Sequence, residues 1–153
     1  LEKIRVAVCG GFHPLHVGHL RHFREAKLLT PKTRLIVFVN SDEDIISKYG
    51  FCAMPLAERM ELVGGLRCVD EVVAVVDRDS TVAKTIRKVR PDIFAKGGDR
   101  TLDTLPKSEI KACKDVGCTI VTGVGKKVSS SFEFILDTRR AGEVKHNPSR
   151  RES

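Results

Sequence analysis

His16-Val17-Gly18-His19 places two imidazoles three residues apart, inside the run Gly10-Gly11-Phe12-His13-Pro14-Leu15-His16-Val17-Gly18-His19-Leu20. An apolar segment, Ile4 to Val8, precedes this run, and a helical pattern follows it. A glycine-rich turn between a strand and a helix presents free backbone N–H groups at the positive end of a helix dipole, which suits a phosphate. Imidazoles at the start of that helix would address the same phosphate. The spacing therefore predicts chemistry on a nucleotide phosphate.

The elements that would hold such a turn can be read around it. Five short segments, Ile4–Val8, Leu35–Val39, Val72–Val76, Ile93–Ala95 and Thr119–Val121, are rich in Val and Ile and mostly continuous rather than alternating. Strands buried on both faces of a parallel sheet read this way. Helical spacings lie between them: Leu20, Phe23 and Ala26; Leu56, Met60 and Val63 behind Pro55; Val82, Ile86 and Val89 behind Ser80 as the expected cap; Ile110 and Cys113 between Pro106 and Gly117; and finally Phe132, Ile135 and Leu136. Alternating strands and helices predict a Rossmann-like three-layer α/β/α sandwich with a parallel five-stranded sheet. Its ligands would bind beyond the carboxyl ends of the strands. The domain is expected over residues 1–140, with 141–153 a polar, basic and flexible tail.

Composition narrows the function classes. The chain has 153 residues, 41% hydrophobic and 31% charged, which suits one folded domain. No apolar run approaches the ~20 residues of a membrane span. The amino-terminal residues lead straight into a strand, so a cytoplasmic protein without a secretory leader is expected. Cys9, Cys52, Cys68, Cys113 and Cys118 form no CxxC pair, and reduced, mostly buried thiols are expected. Net charge is +7, of which residues 139–153 supply +3, so polyanions should be attracted. One Tyr and no Trp leave few platforms for stacking bases, which disfavours single-stranded nucleic acid. His13, His16, His19 and His22 recur every three residues, but they divide between turn and helix. No native metal site is expected from them. His22 is expected to be an exposed helix residue.

The opening run resembles the first motif of the nucleotidylyltransferase superfamily, also called cytidylyltransferase-like, which reads roughly G-T/C-F-D-x-x-H-x-G-H. Gly10, Phe12, His16, Gly18 and His19 match it, while His13 stands at the usual Asp and Gly11 at the usual Thr or Cys. Further matches follow in order. Asn40-Ser41-Asp42 is similar to an N-S-D segment, and Lys48 falls where relatives carry a substrate-binding lysine in a loop. Glu58-Arg59 is similar to an E-R pair. Lys96-Gly97-Gly98-Asp99 is similar to the K-G-G-D of heptose-phosphate adenylyltransferase domains. Ser129-Ser130-Ser131 occupies the place of a serine- and threonine-rich helix start.

The resemblance implies transfer of AMP or CMP from a nucleoside triphosphate to a phosphorylated small molecule, with release of pyrophosphate. His16, His19 and Lys48 would be catalytic. Gly10, Gly11, Phe12, Gly18, Lys96, Gly97, Gly98, Asp99, Lys126, Ser129 and Ser130 would bind the nucleotide, and Lys127 would add charge beside the serines. Mg2+ would arrive with the triphosphate. ATP and a sugar or polyol phosphate are favoured over CTP, and flavin- or pantetheine-type acceptors are less favoured. A homodimer is left open. Two other classes fit the same residues: a non-catalytic nucleotide-binding module, and a nucleic-acid-binding domain that uses the basic surface and tail.

Overall fold

The computed structural model describes residues 2–125. Strands β1 (Ile4–Gly10), β2 (Thr33–Val39), β3 (Glu71–Ala74), β4 (Ile93–Ala95) and β5 (Thr119–Val121) form one sheet in the order β3-β2-β1-β4-β5. Every pairing is parallel. Each apolar segment read from the sequence is one of these strands. β3 ends at Ala74, so Val75 and Val76 lie beyond its end.

Side chains alternate across β1 and β2 and divide into two cores. Val6, Val8, Leu35, Val37 and Val39 pack with Phe23 and Ala26 of α1 (Val17–Lys27) and Val63 of α3 (Leu56–Gly64). Ala7, Ile36, Phe38 and Phe94 pack with Ile86 of α4 (Ala83–Val89) and with Ala112 and Cys113 of α5 (Lys107–Val116). This is the expected three-layer sandwich. Its central strands lose both faces to the cores, which is why their sequences do not alternate. Each large aliphatic side chain buried there contributes about 1.5–3 kcal/mol.

A further helix, α2 (Asp42–Tyr49), lies at the carboxyl end of β2, and the sequence reading did not separate it. Ser41 caps it, accepting the Asp44 N–H at 3.2 Å. Asp42, Glu43 and Asp44 fill its first turn, and Gly50 ends it at φ +82°. Lys48 therefore sits in a helical last turn and not in a loop. Ser80 does not cap α4 either. Its φ is +64°, and the first-turn N–H groups of Lys84 and Thr85 donate to the buried Asp77 carboxylate at 2.7 and 3.0 Å. A carboxylate with two oxygens satisfies both donors, where a hydroxyl would satisfy one.

All five cysteines are free thiols. Cys113 and Cys118 are buried, while Cys9, Cys52 and Cys68 are half-buried. The helix expected around Phe132, Ile135 and Leu136, and the tail from residue 141, lie outside the described residues. Among the described residues no helix is long and apolar enough to cross a membrane. The segments that follow β1, β2 and β4 leave the sheet along its carboxyl edge. β1 and β4 are neighbours at the point where the strand order reverses, and a crevice for ligands opens there in such sheets.

Candidate active site

His16 is the N-cap of α1, with extended backbone at φ −142°. Its Nδ1 accepts the Gly18 N–H at 3.1 Å, and the Nδ1 of His19 accepts the His16 N–H at 3.1 Å. The two imidazoles thus exchange the bonds of a capping box, in a role usually taken by Ser and Glu. Their rings stack with centroids 3.8 Å apart. A ring nitrogen that accepts a hydrogen bond carries no proton, so these bonds assign the proton of each neutral ring to Nε2. Both motif histidines are thereby set as Nε2–H donors at a helix N-terminus. Burial, followed by the neighbouring His16 and His22, pushes the His19 pKa down to about 3, so the ring is neutral at pH 7.

Phe12 supports this pair from beneath. Its backbone has φ +52°, a conformation that costs a bulky residue about 1–3 kcal/mol. The strained turn sends the ring into the core, where it meets His19 edge-on at 4.9 Å and Phe23 at 5.3 Å. Gly10 leaves room for it, since a Cβ there would lie 2.9 Å from the Phe12 ring. Gly11 likewise leaves room for Ile45, and Gly18 is the donor to His16. Gly10 thus ends β1, Gly11 and Phe12 lie in the turn and Gly18 lies in the first turn of α1, while the Phe12 side chain packs into the core.

Arg59 is the structural centre of this end of the sheet. It is fully buried on α3, and it donates to the carbonyls of Met54 at 2.8 Å, Gly11 at 2.9 Å and Asn40 at 2.7 Å, and to Asp42 at 2.7 Å. One guanidinium therefore ties the glycine turn after β1, the end of β2, the start of α2 and the segment before α3. The Arg59 hydrogen bond holds the Asp42 carboxyl below its ordinary pKa. The E-R resemblance marked this position, but nothing in a one-dimensional pattern announces a buried arginine.

Lys48 projects from α2 with its side chain about half exposed, 3.9 Å from the Asp44 carboxylate. Lys96 turns inward. Its Nζ donates to the Cys9 thiol at 3.3 Å, lies 4.0 Å from Glu109 and sits over the Phe94 ring. Burial raises the pKa of Glu109 even with Lys96 beside it. Gly97 and Gly98 follow at the carboxyl edge, and Asp99 is exposed.

His22 is not the exposed residue expected. Its Nδ1 bonds the Val124 carbonyl at 2.5 Å, and a Cβ on Gly97 would lie 2.8 Å from that nitrogen. Two glycines give His22 its place, Gly97 beside the ring and Gly125 beside its Cα, 75 and 103 residues further along the chain. His13 turns to the backbone of Ala53 and Met54. The four evenly spaced histidines thus divide: His16 and His19 cap and stack on each other, while His13 and His22 each serve a different stretch of backbone. Among the described residues no three His, Cys, Asp or Glu side chains gather as a metal site. Lys126, Lys127, Ser129 and Ser130 lie outside the described residues.

The parallel sheet places a helix N-terminus and two oriented imidazoles at its switch point, an arrangement suited to a phosphate. The chain belongs to the cytidylyltransferase-like family, whose model matches residues 7–132. It is 41% identical over 106 residues to the bifunctional protein HldE of Hydrogenovibrio crunogenus, a match covering 68% of this chain but only 21% of that protein. It is 35% identical over 141 residues to the D-beta-D-heptose 1-phosphate adenylyltransferase of Bordetella bronchiseptica, covering 90% of this chain and 79% of the relative. The FAD synthase of Pyrococcus abyssi is 36% identical over 103 residues, covering 67% of this chain and 68% of the synthase. Among solved structures, a lipopolysaccharide core biosynthesis protein from Thermoplasma volcanium superposes with a TM-score of 0.66 at 26% identity, covering 82% of this chain and 99% of that one.

Proposed function

We propose that this chain transfers a nucleotidyl group, AMP from ATP in preference to CMP from CTP, onto a phosphorylated sugar or polyol. A phosphate oxygen of the acceptor attacks the α-phosphorus. The bond from that phosphorus to the bridging oxygen breaks, and pyrophosphate leaves with the electron pair. The acceptor is itself the nucleophile, so the protein's task is alignment and stabilisation of charge on phosphoryl oxygens.

The reciprocal capping of His16 and His19 is the observation that carries this reading. It sets the proton of each neutral ring on Nε2 at a helix N-terminus, an arrangement suited to developing negative charge. Lys48 supplies a mobile positive charge to the α-phosphate or the acceptor phosphate. Gly97, Gly98 and Asp99 serve the nucleotide, and Lys96 supports that loop from inside. Lys126, Ser129 and Ser130 complete the proposal on the leaving phosphates. Mg2+ enters as the companion of the triphosphate substrate. The heptose-phosphate relative, which matches 90% of the chain, supports the sugar acceptor. The FAD synthase relatives support a flavin phosphate as the second acceptor class.

Pyrophosphate release with magnesium, crossing ATP and CTP against sugar, polyol and flavin phosphates, tests the proposal. Release with an ATP and sugar- or polyol-phosphate pair is expected. Tight nucleotide binding without release in any pair would overturn it in favour of a binding module. Steeply salt-dependent binding of nucleic acid in place of nucleotide would overturn it in favour of a nucleic-acid-binding domain.

A further inference from the structure

His13 stands at the position where the resembled motif carries aspartate, and the proposed transfer assigns it no task. It is only 3% exposed. Its Nε2 accepts two backbone N–H groups, from Ala53 at 2.8 Å and from Met54 at 3.2 Å. The ring stacks on Tyr49 and meets Phe51 edge-on, with centroids 5.8 and 5.9 Å away. Because Nε2 accepts, Nδ1 carries the proton, and among the described residues this buried nitrogen has no hydrogen-bond partner. A buried orphan donor is unfavourable, so the polar contribution of the ring comes from the two bonds at Nε2.

The segment that it holds links two parts of the site. Residues 51–55 run from the end of α2, which bears Lys48, to the start of α3. Arg59 binds the Met54 carbonyl from the other side while also binding the Gly11 carbonyl of the phosphate turn. His13 and Arg59 together clasp the segment, His13 by its N–H groups and Arg59 by a carbonyl.

We propose that His13 is a positioning residue, a neutral imidazole latch that fixes residues 51–55, and with them the Lys48 end of α2, onto the phosphate turn. The proposal rests on the nucleotidyl-transfer reading only for its effect on rate; the latch itself is independent of it. A latch made by an imidazole opens in acid, because a protonated Nε2 would present an N–H to two other N–H groups. The charged and titratable groups around the ring are Arg59 from α3 and Asp42 and Tyr49 from α2. Burial, aided by Arg59, holds the His13 pKa below the ordinary imidazole value, so the latch is closed at pH 7.

The test compares His13→Ala with His13→Gln, whose amide oxygen can occupy the place of Nε2 and does not titrate. Amide hydrogen exchange of Ala53 and Met54 reads the latch without any turnover. His13→Ala should speed exchange of both amides ~10-fold or more, and His13→Gln should restore protection at pH 7. On acidification to below the ordinary imidazole range the wild type should lose this protection while His13→Gln keeps it. With an active substrate pair, His13→Ala should raise the KM of the phosphorylated acceptor and lower kcat, and His13→Gln should recover both. Unchanged exchange in His13→Ala overturns the proposal. So does a folded His13→Gln that exchanges as fast as His13→Ala, since ring packing would then be the cause. If no substrate pair turns over, the function reading fails and the exchange results still decide the latch. If His13→Ala does not fold, His13→Gln alone carries the test through its protection and its lost acid sensitivity.

Discussion

His19 has two separable jobs, and asparagine can be used to part them. Its Nδ1 accepts the His16 N–H at 3.1 Å and so closes the cap of α1. Its Nε2–H is the proposed donor to the triphosphate. Asparagine places an oxygen near the position of Nδ1 and has nothing at the position of Nε2. His19→Asn should therefore keep the cap, with stability within ~0.5 kcal/mol of wild type, whereas His19→Ala should lose about 1 kcal/mol. Both should lose the donor. A fixed donor aimed at developing charge contributes about 2.7–4 kcal/mol, so kcat should fall about 10²–10³-fold in each variant. Burial that holds the His19 pKa near 3 makes this a loss of a neutral hydrogen bond and not of a cation. The measurements are kcat by pyrophosphate release at saturating substrates and unfolding free energy by urea titration. A His19→Asn variant with kcat within about threefold of wild type would refute the assignment of the donor. Equal stability of His19→Ala and wild type would refute the assignment of the cap.

Stability should rise with pH across the acid range, because His19 binds no proton in the native state above about pH 3 but binds one in the unfolded chain below about pH 6.5. Each such histidine adds a slope of about 1.4 kcal/mol per pH unit between those values, and His19→Asn should flatten the curve by that amount; identical slopes would count against a neutral buried ring. Arg59→Met should cost about 3–5 kcal/mol in denaturant unfolding, since it leaves three carbonyls and Asp42 without their donor. A loss below about 1 kcal/mol would show that solvent replaces the guanidinium. Lys48→Ala should lower kcat at saturating acceptor, and a change confined to KM would make Lys48 a ground-state contact. Gly97→Ala should cost about 1–3 kcal/mol, because the new Cβ would lie 2.8 Å from the His22 ring, and should cost less in a His22→Ala background. The same loss in both backgrounds would place the clash elsewhere.

The strands were legible because a strand buried on both faces needs a continuous apolar run, and little else in a chain of this size does. Helix α2 was less legible. Ile45 is its only buried residue, so it carries no apolar stripe, and its signals were local ones: Ser41, three acids and Gly50. Ser41 and Asp42 also belong to the N-S-D match, and the helix signals around them compete with a reading that places Lys48 in a loop. Arg59 and His22 were illegible for a different reason. Their burial is decided by partners far away in the chain: for Arg59 a ring of carbonyls, for His22 two glycines that omit side chains. Ser80 looked like a cap because serine commonly is one, but the buried Asp77 carboxylate reaches the same N–H groups with twice the acceptor capacity.

The division of charge at the site follows from these placements. Two basic residues in the motif series are spent on structure: Arg59 on the carbonyls beneath the turn, Lys96 on Cys9 and Glu109 inside the fold. In the proposed transfer the fixed donors are neutral: the imidazoles of His16 and His19 and the N–H groups opening α1. Neutral donors held by the backbone need little reorganisation as charge moves from the α-phosphate to the leaving group, and they favour the charge distribution in which the acceptor bond is half made. A fixed buried cation would bind the ground-state triphosphate as strongly as the transition state. In the proposed transfer the charge of Lys48, half exposed on α2, would follow the reacting phosphates instead, and the proposed latch makes its reach depend on how firmly residues 51–55 are held against the turn.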